Sequence, residues 1–94
     1  MNQTDTIEQV LKDALKETGA SLSISTKELA TYMHARAVHL ASIAAEPGYD
    51  QALRAERNNV ALKAGIIASG QLSSIDSRIL GLIQGILALA AAAI

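Results

Sequence analysis

The chain has two histidines, His34 and His39, and their spacing decides against the simplest chemistry. Five residues apart on a helix, they point about 140° away from each other. A metal needs ligands on one face, as an i, i+4 pair supplies. The Glu-x-x-His pattern of di-metal helical bundles is also missing. With no cysteine, neither a thiolate site nor a disulfide framework is open to the chain. No metal and no cofactor is expected.

Glu28, Tyr32, Arg36 and His39 follow at i, i+4, i+8 and i+11, so they share one helical face. A carboxylate, a phenol, a guanidinium and an imidazole together are the groups of general acid–base catalysis. More often such a stripe is a solvated face laced by side-chain pairs. No nucleophile–base pair, phosphate loop or acidic dyad stands at useful spacing. The chain therefore reads as non-enzymatic.

The densest polar cluster is "RAERNNVALKAG", residues 54–65. Glu56 and Arg57 fall at the centre of an apolar stripe of Tyr49, Leu53, Val60, Ala64 and Ile67. Two placements resolve that conflict. Either they lie at a helix edge with their charged ends in water, or they are buried and paired. A buried pair fixes register between packed helices. Asn58 and Asn59 add amides that hydrogen-bond across a contact. Glu56, Arg57 and Asn59 are thus read as residues that select a partner helix or subunit.

Four helices are predicted to carry these groups. The first covers about 6–18, with Asp5 and Glu8 in a capping-box pattern and Gly19 at the C-terminal cap. Residues 20–25 alternate apolar residues with serine, and read as a linker because no second strand is available to pair with them. The second helix covers 26–45. Ser25 and Glu28 form its capping box, Ile24 and Leu29 hold the staple positions, and "EPG" at 46–48 stops it. The third covers 49–69 with Gly70 as the stop, and the fourth 74–93, capped by Ser73 or Ser74. Three short connections suit antiparallel neighbours. The fold class is all-α, a single domain of about four helices in a bundle or a pair of hairpins.

The totals agree. Ninety-four residues make one domain with a modest core. Half of them are apolar, yet Tyr32 and Tyr49 are the only aromatics. A core of Ala, Leu and Ile favours close helix–helix contact. A net charge of −1, with both signs interleaved, excludes the basic stripe that nucleic-acid binding calls for. The polar, acidic start "MNQTDTIEQV" is no secretory signal.

The fourth helix raises the question of partners. From Ile79 to Ile94 no side chain is charged. Ile75, Ile79, Leu82, Ile83, Ile86 and Ala90 form a bulky ridge. Gly81, Gly85, Ala88 and Ala92 form a small-residue ridge on another side, and Gly81-x-x-x-Gly85 admits a closely approaching backbone. Three destinations are open to this helix: the core of a monomer, a bilayer, or other copies of the chain. As a helix the run spans about 24 Å, short of the roughly 20 apolar residues a bilayer core requires, and Gln84 interrupts it. A helix apolar all round is a buried one, and three singly striped helices do not readily cover it on every side. A homo-oligomer packed through the fourth helix is expected, with Ile79, Leu82, Ile83 and Ile86 supplying burial and Gly81 and Gly85 setting close approach. Membrane contact through residues 79–94 is the alternative.

The stretch "YDQALRAERNNVALKAGIIASGQLSSIDSRILGLIQGILALA" (49–90) resembles small helical proteins encoded among the virion-structure genes of tailed phages and prophages. The likeness lies in the "AERNNVALKAG" helix followed by "SRILGLIQGILA". It implies an internal, neck, tail or capsid-associated component of a virion, with other virion proteins as partners beside the chain itself. It implies no catalytic residue. Outside a particle, a cytoplasmic or membrane-associated location is expected.

Overall fold

The computed structural model describes residues 3–19, 21–65 and 77–94, and these form four helices: α1 (Gln3–Thr18), α2 (Thr26–Ser42), α3 (Tyr49–Ala64) and α4 (Ser77–Ala92).

Each boundary has a local cause. α1 begins ahead of Asp5, so Asp5 lies inside the first turn, where a carboxylate faces the positive end of the helix. It ends at Gly19, whose φ is 72°. The Gly19 N–H donates to the Leu15 carbonyl at 2.9 Å, the single bond of a left-handed cap. α2 starts as its sequence predicts. Ser25 is extended, at φ −70° and ψ 152°, and its Oγ accepts the Glu28 N–H at 3.0 Å. α2 closes at Ser42, three residues ahead of the expected end. The following N–H groups of Ile43 and Ala44 reach back only three residues, to Leu40 and Ala41, a tightened last turn ahead of Pro47.

α3 also ends early, at Ala64 rather than Ser69. Gly65 takes φ 54° and breaks the ladder. The linker holds this end in place. Both the N–H of Ser23 (3.0 Å) and its hydroxyl (2.8 Å) donate to the Ala64 carbonyl. A Cβ on Gly65 would collide with that hydroxyl and stand 3.1 Å from the Ser23 Cβ. The expected caps Ser73 and Ser74, the stop at Gly70, and Ile67 and Ile75 lie outside the described residues.

Polar contacts set the directions. Gln3 meets His34 and Glu8 meets Thr26, so α1 and α2 are antiparallel. Arg36 meets Glu56 and Lys63 lies over Tyr32, so α2 and α3 are antiparallel too. The start of α1 lies along the end of α4. The bundle therefore runs up-down-up-down, but it is not square. α2 and α4 each pack against three helices, while α1 and α3 do not touch each other. The result is a flattened rhombus, 39 × 29 × 18 Å, with α2 and α4 on its short diagonal.

Small side chains allow that diagonal contact. Ala30 and Ala37 of α2 and Ala90 and Ala91 of α4 are buried, as are Ala61 and Ala64 of α3. Leu29, Met33, Leu40, Val60 and Leu87 are the largest fully buried side chains. Ile24 and Tyr49 pack against this core from its edges.

Candidate functional site

The conflict at Glu56 resolves by burial. Glu56 is 4 % exposed, the one charged or polar side chain among the described residues buried to this degree. Its partner is Arg36, across the α2–α3 contact, not the adjacent Arg57. Arg36 donates to Oε2 through Nε at 2.7 Å and through its terminal nitrogen as well. The Asn59 amide donates to Oε1 at 3.1 Å. Burial pushes the Glu56 pKa up, but the hydrogen bonds from Arg36 and Asn59 and the positive charge of Arg36 and His39 outweigh it. The net effect holds the carboxyl below its ordinary value. The hydrogen bond to Glu56 likewise raises the guanidinium pKa of Arg36.

Arg57 is half-buried and turns the other way. It donates to Gln84 Oε1 of α4 at 3.0 Å and to Asn58 Oδ1 at 3.1 Å. Glu56 and Arg57 thus tie α3 to α2 and to α4 respectively, and their bonds lie inside the chain. The middle of the polar face of α2 is engaged in the same way, while Glu28 at its start is exposed. Arg36 is taken by Glu56, and the Lys63 Nζ stands 5.7 Å from the centroid of the Tyr32 ring. His34 shares a 2.8 Å hydrogen bond with Gln3, whereas His39 is exposed. No group of three His, Cys, Asp or Glu suited to a metal occurs among the described residues.

α4 has two unlike faces. Ile79, Ile83 and Ile86 are buried with Leu87 in the chain's own core. Leu82, expected on the same ridge, is 38 % exposed and Leu89 is 74 % exposed. Gly81 and Gly85 are exposed, and a Cβ built on either meets nothing within 4 Å. No described helix of this chain uses the close approach they permit. Arg78, Gly81, Leu82, Gly85, Leu89 and Ala92 are all exposed. They fall within about 120° of the helix circumference at 100° per residue. α1, α2 and α3 cover the rest.

Beside this face, α1 and α4 leave an apolar groove of about 270 Å³, with Val10 and Leu89 among its lining. A smaller apolar cavity of about 20 Å³ lies further along the same contact, bounded by Leu11, Leu15, Leu82 and Ile83 among others. None of the described helices is long and apolar enough to cross a membrane.

Two features are not evident from the sequence. Arg36 falls on a polar stripe, and nothing in the spacing couples it to Glu56 twenty residues on. Leu89 stands outside the bulky ridge. The available signal is its seven-residue spacing from Leu82, one heptad. No known protein family, curated protein or solved structure matches the chain.

Proposed function

We propose that the chain is a non-enzymatic structural protein that self-associates through its α3–α4 half, with α4 as the contacting helix, and serves as an assembly component of a virion. One observation supports self-association above the rest. The exposed face of α4 is uncharged from Gly81 to Ala92, and it carries two outward leucines beside two glycines that none of the described residues fills. Mid-helix glycines cost roughly 1 kcal/mol each against alanine, a cost that close packing against another molecule offsets. The virion setting rests on the resemblance of residues 49–90. In that setting the other partners are virion proteins. Of the α2 stripe, Arg36 and Tyr32 are engaged with Glu56 and Lys63 of α3, in keeping with a structural role for those two, while Glu28 and His39 are exposed.

A membrane-active role is the second reading. Sixteen consecutive uncharged residues, Ile79–Ile94, and the exposure of Leu89 and Ile94 favour it. Light scattering of the purified chain without detergent separates the two. A discrete soluble oligomer is the expected result. A chain soluble only in detergent, and floating with liposomes only when residues 79–94 are present, moves the assignment to the membrane. A monomer at every concentration refutes self-association.

A further inference from the structure

The bond from Arg36 to Glu56 uses only one edge of the guanidinium. Arginine carries five N–H donors in a rigid, planar fork. Nε and Nη2 each give one to Glu56 Oε2, which occupies the side edge of the plane. Three donors remain, two of them side by side at the end of the plane. None of the three has an acceptor among the described residues.

The carboxylate behind it holds that free end still. A surface arginine normally loses rotamer freedom when it captures an anion. Here much of that loss is already met. Glu56 is buried and braced by the Asn59 amide at 3.1 Å, and it fixes the guanidinium from below. The Arg36 side chain is nevertheless 37 % exposed, so its outer edge is open to a ligand.

The surrounding charges select the ligand. Arg36 and Glu56 cancel. Lys63 stands over Tyr32, one turn from Arg36, and is exposed. Its ammonium makes no ion pair among the described residues. His39, three residues past Arg36 on the same face, is also exposed and adds positive charge when protonated. Glu28 is the other carboxylate of this stripe. It lies two turns before Arg36, about 12 Å along the axis and beyond the screening length at physiological salt. Within one turn of the fork the balance is positive. A fork beside an ammonium suits a group with more than two acceptor oxygens and more than one negative charge. We infer that the α2–α3 seam binds a tetrahedral dianion, a phosphate or a phosphate monoester, with Arg36 and Lys63 holding it and Glu56 positioning Arg36. A nucleic-acid backbone carries one charge per phosphate and calls for the extended basic stripe that the chain lacks.

Titration of the isotope-labelled full chain with inorganic phosphate, sulfate and acetate, followed by NMR at fixed ionic strength, tests the site. At about pH 7.5 phosphate is largely dianionic. Two or three charge-assisted hydrogen bonds to a well-solvated anion give a dissociation constant on the order of millimolar. Phosphate and sulfate should shift the Arg36 Nε–H and Asn59 amide signals and saturate, with acetate about fivefold weaker. Arg36→Lys keeps a charge beside Glu56 but has no fork. It should weaken phosphate binding about tenfold, with folding checked by circular dichroism. Lys63→Gln leaves the Arg36–Glu56 pair whole and should weaken binding about fivefold. Arg54→Gln removes the same charge from an exposed position of α3, turned about 160° from Glu56, and should change binding by less than about twofold. Shifts that never saturate, or an Arg54→Gln effect equal to that of Lys63→Gln, would mean general charge screening and overturn the site. Acetate binding as tightly as phosphate would overturn the tetrahedral dianion. Binding that survives both Arg36→Lys and Lys63→Gln would overturn the placement. Self-association is decided separately, by light scattering.

Discussion

Arg36→Met tests the one buried charge pair among the described residues. Methionine keeps much of the length of the side chain and removes its charge and donors. Glu56 is then left 4 % exposed with the Asn59 amide as its remaining hydrogen-bond donor. Stripping one partner from a buried pair costs about 3–5 kcal/mol. The Arg36 side chain is 37 % exposed, so water already screens part of its attraction, and Asn59 stays in place. About 2 kcal/mol is therefore expected at neutral pH. For a chain of this size that is a fall of about 1 M in the urea midpoint, followed by helical circular dichroism.

The pH dependence gives a sharper reading of the same variant. In the native chain the Glu56 pKa is lowered, so the pair stabilises above the unfolded carboxylate value of about 4.3. That contribution disappears as pH falls through the depressed folded value. In Arg36→Met, burial dominates and the folded pKa moves above the unfolded one. The penalty is then greatest at neutral pH and relaxes as acid protonates Glu56. The stability gap between native and variant chains should narrow as pH falls from about 7 toward 4. The double variant Arg36→Met/Glu56→Leu, which removes both charges, should recover most of the loss. A loss under about 0.5 kcal/mol, unchanged across that pH range, would show that the pair does not hold α2 to α3.

Three further outcomes are expected. Ser25→Ala removes the side-chain acceptor of the Glu28 N–H and should cost about 1 kcal/mol in urea denaturation, while Ser21→Ala, on the exposed linker, serves as the control. Gly65→Ala places a Cβ at positive φ against the Ser23 hydroxyl. Left-handed strain and the threatened bond to Ala64 together predict a loss of about 2 kcal/mol, partly relieved by Ser23→Gly. Gly81→Ala does the reverse. With no atom within 4 Å of its Cβ, it should stabilise the dilute chain by about 1 kcal/mol, seen as a rise in Tm of about 4–8 °C.

How much of the fold is legible in the sequence depends on the range of the cause. The start of α2 is readable because Ser25, Glu28, Ile24 and Leu29 lie within six residues and act on one turn. Gly19 is readable for the same reason. The end of α3 is not. The apolar period continues to Ile67, yet the helix stops where Ser23, 41 residues away in the chain, takes the Ala64 carbonyl. The partner of Glu56 is hidden in the same way. Its own helix offers Arg57 next door, while packing brings Arg36 from α2. The bulky ridge of α4 is legible as a burial surface, and Ile79, Ile83 and Ile86 do enter the core. Leu82 leaves the ridge because it stands at the margin of what α1 covers, a matter of how far apart two helices settle.

The rhombic cross-section also bears on how the molecule opens. Since α1 and α3 do not touch, either can detach without breaking a helix-to-helix contact with the other, provided the Ser23 bonds to the Ala64 carbonyl hold, and neither departure breaks the α2–α4 contact. Local unfolding then has two separate doors rather than one. Amide protons in the outer helices exchange through partial openings, and those on the short diagonal exchange only when the whole chain unravels. An outer helix that has swung out leaves a vacant slot shaped for its own sequence.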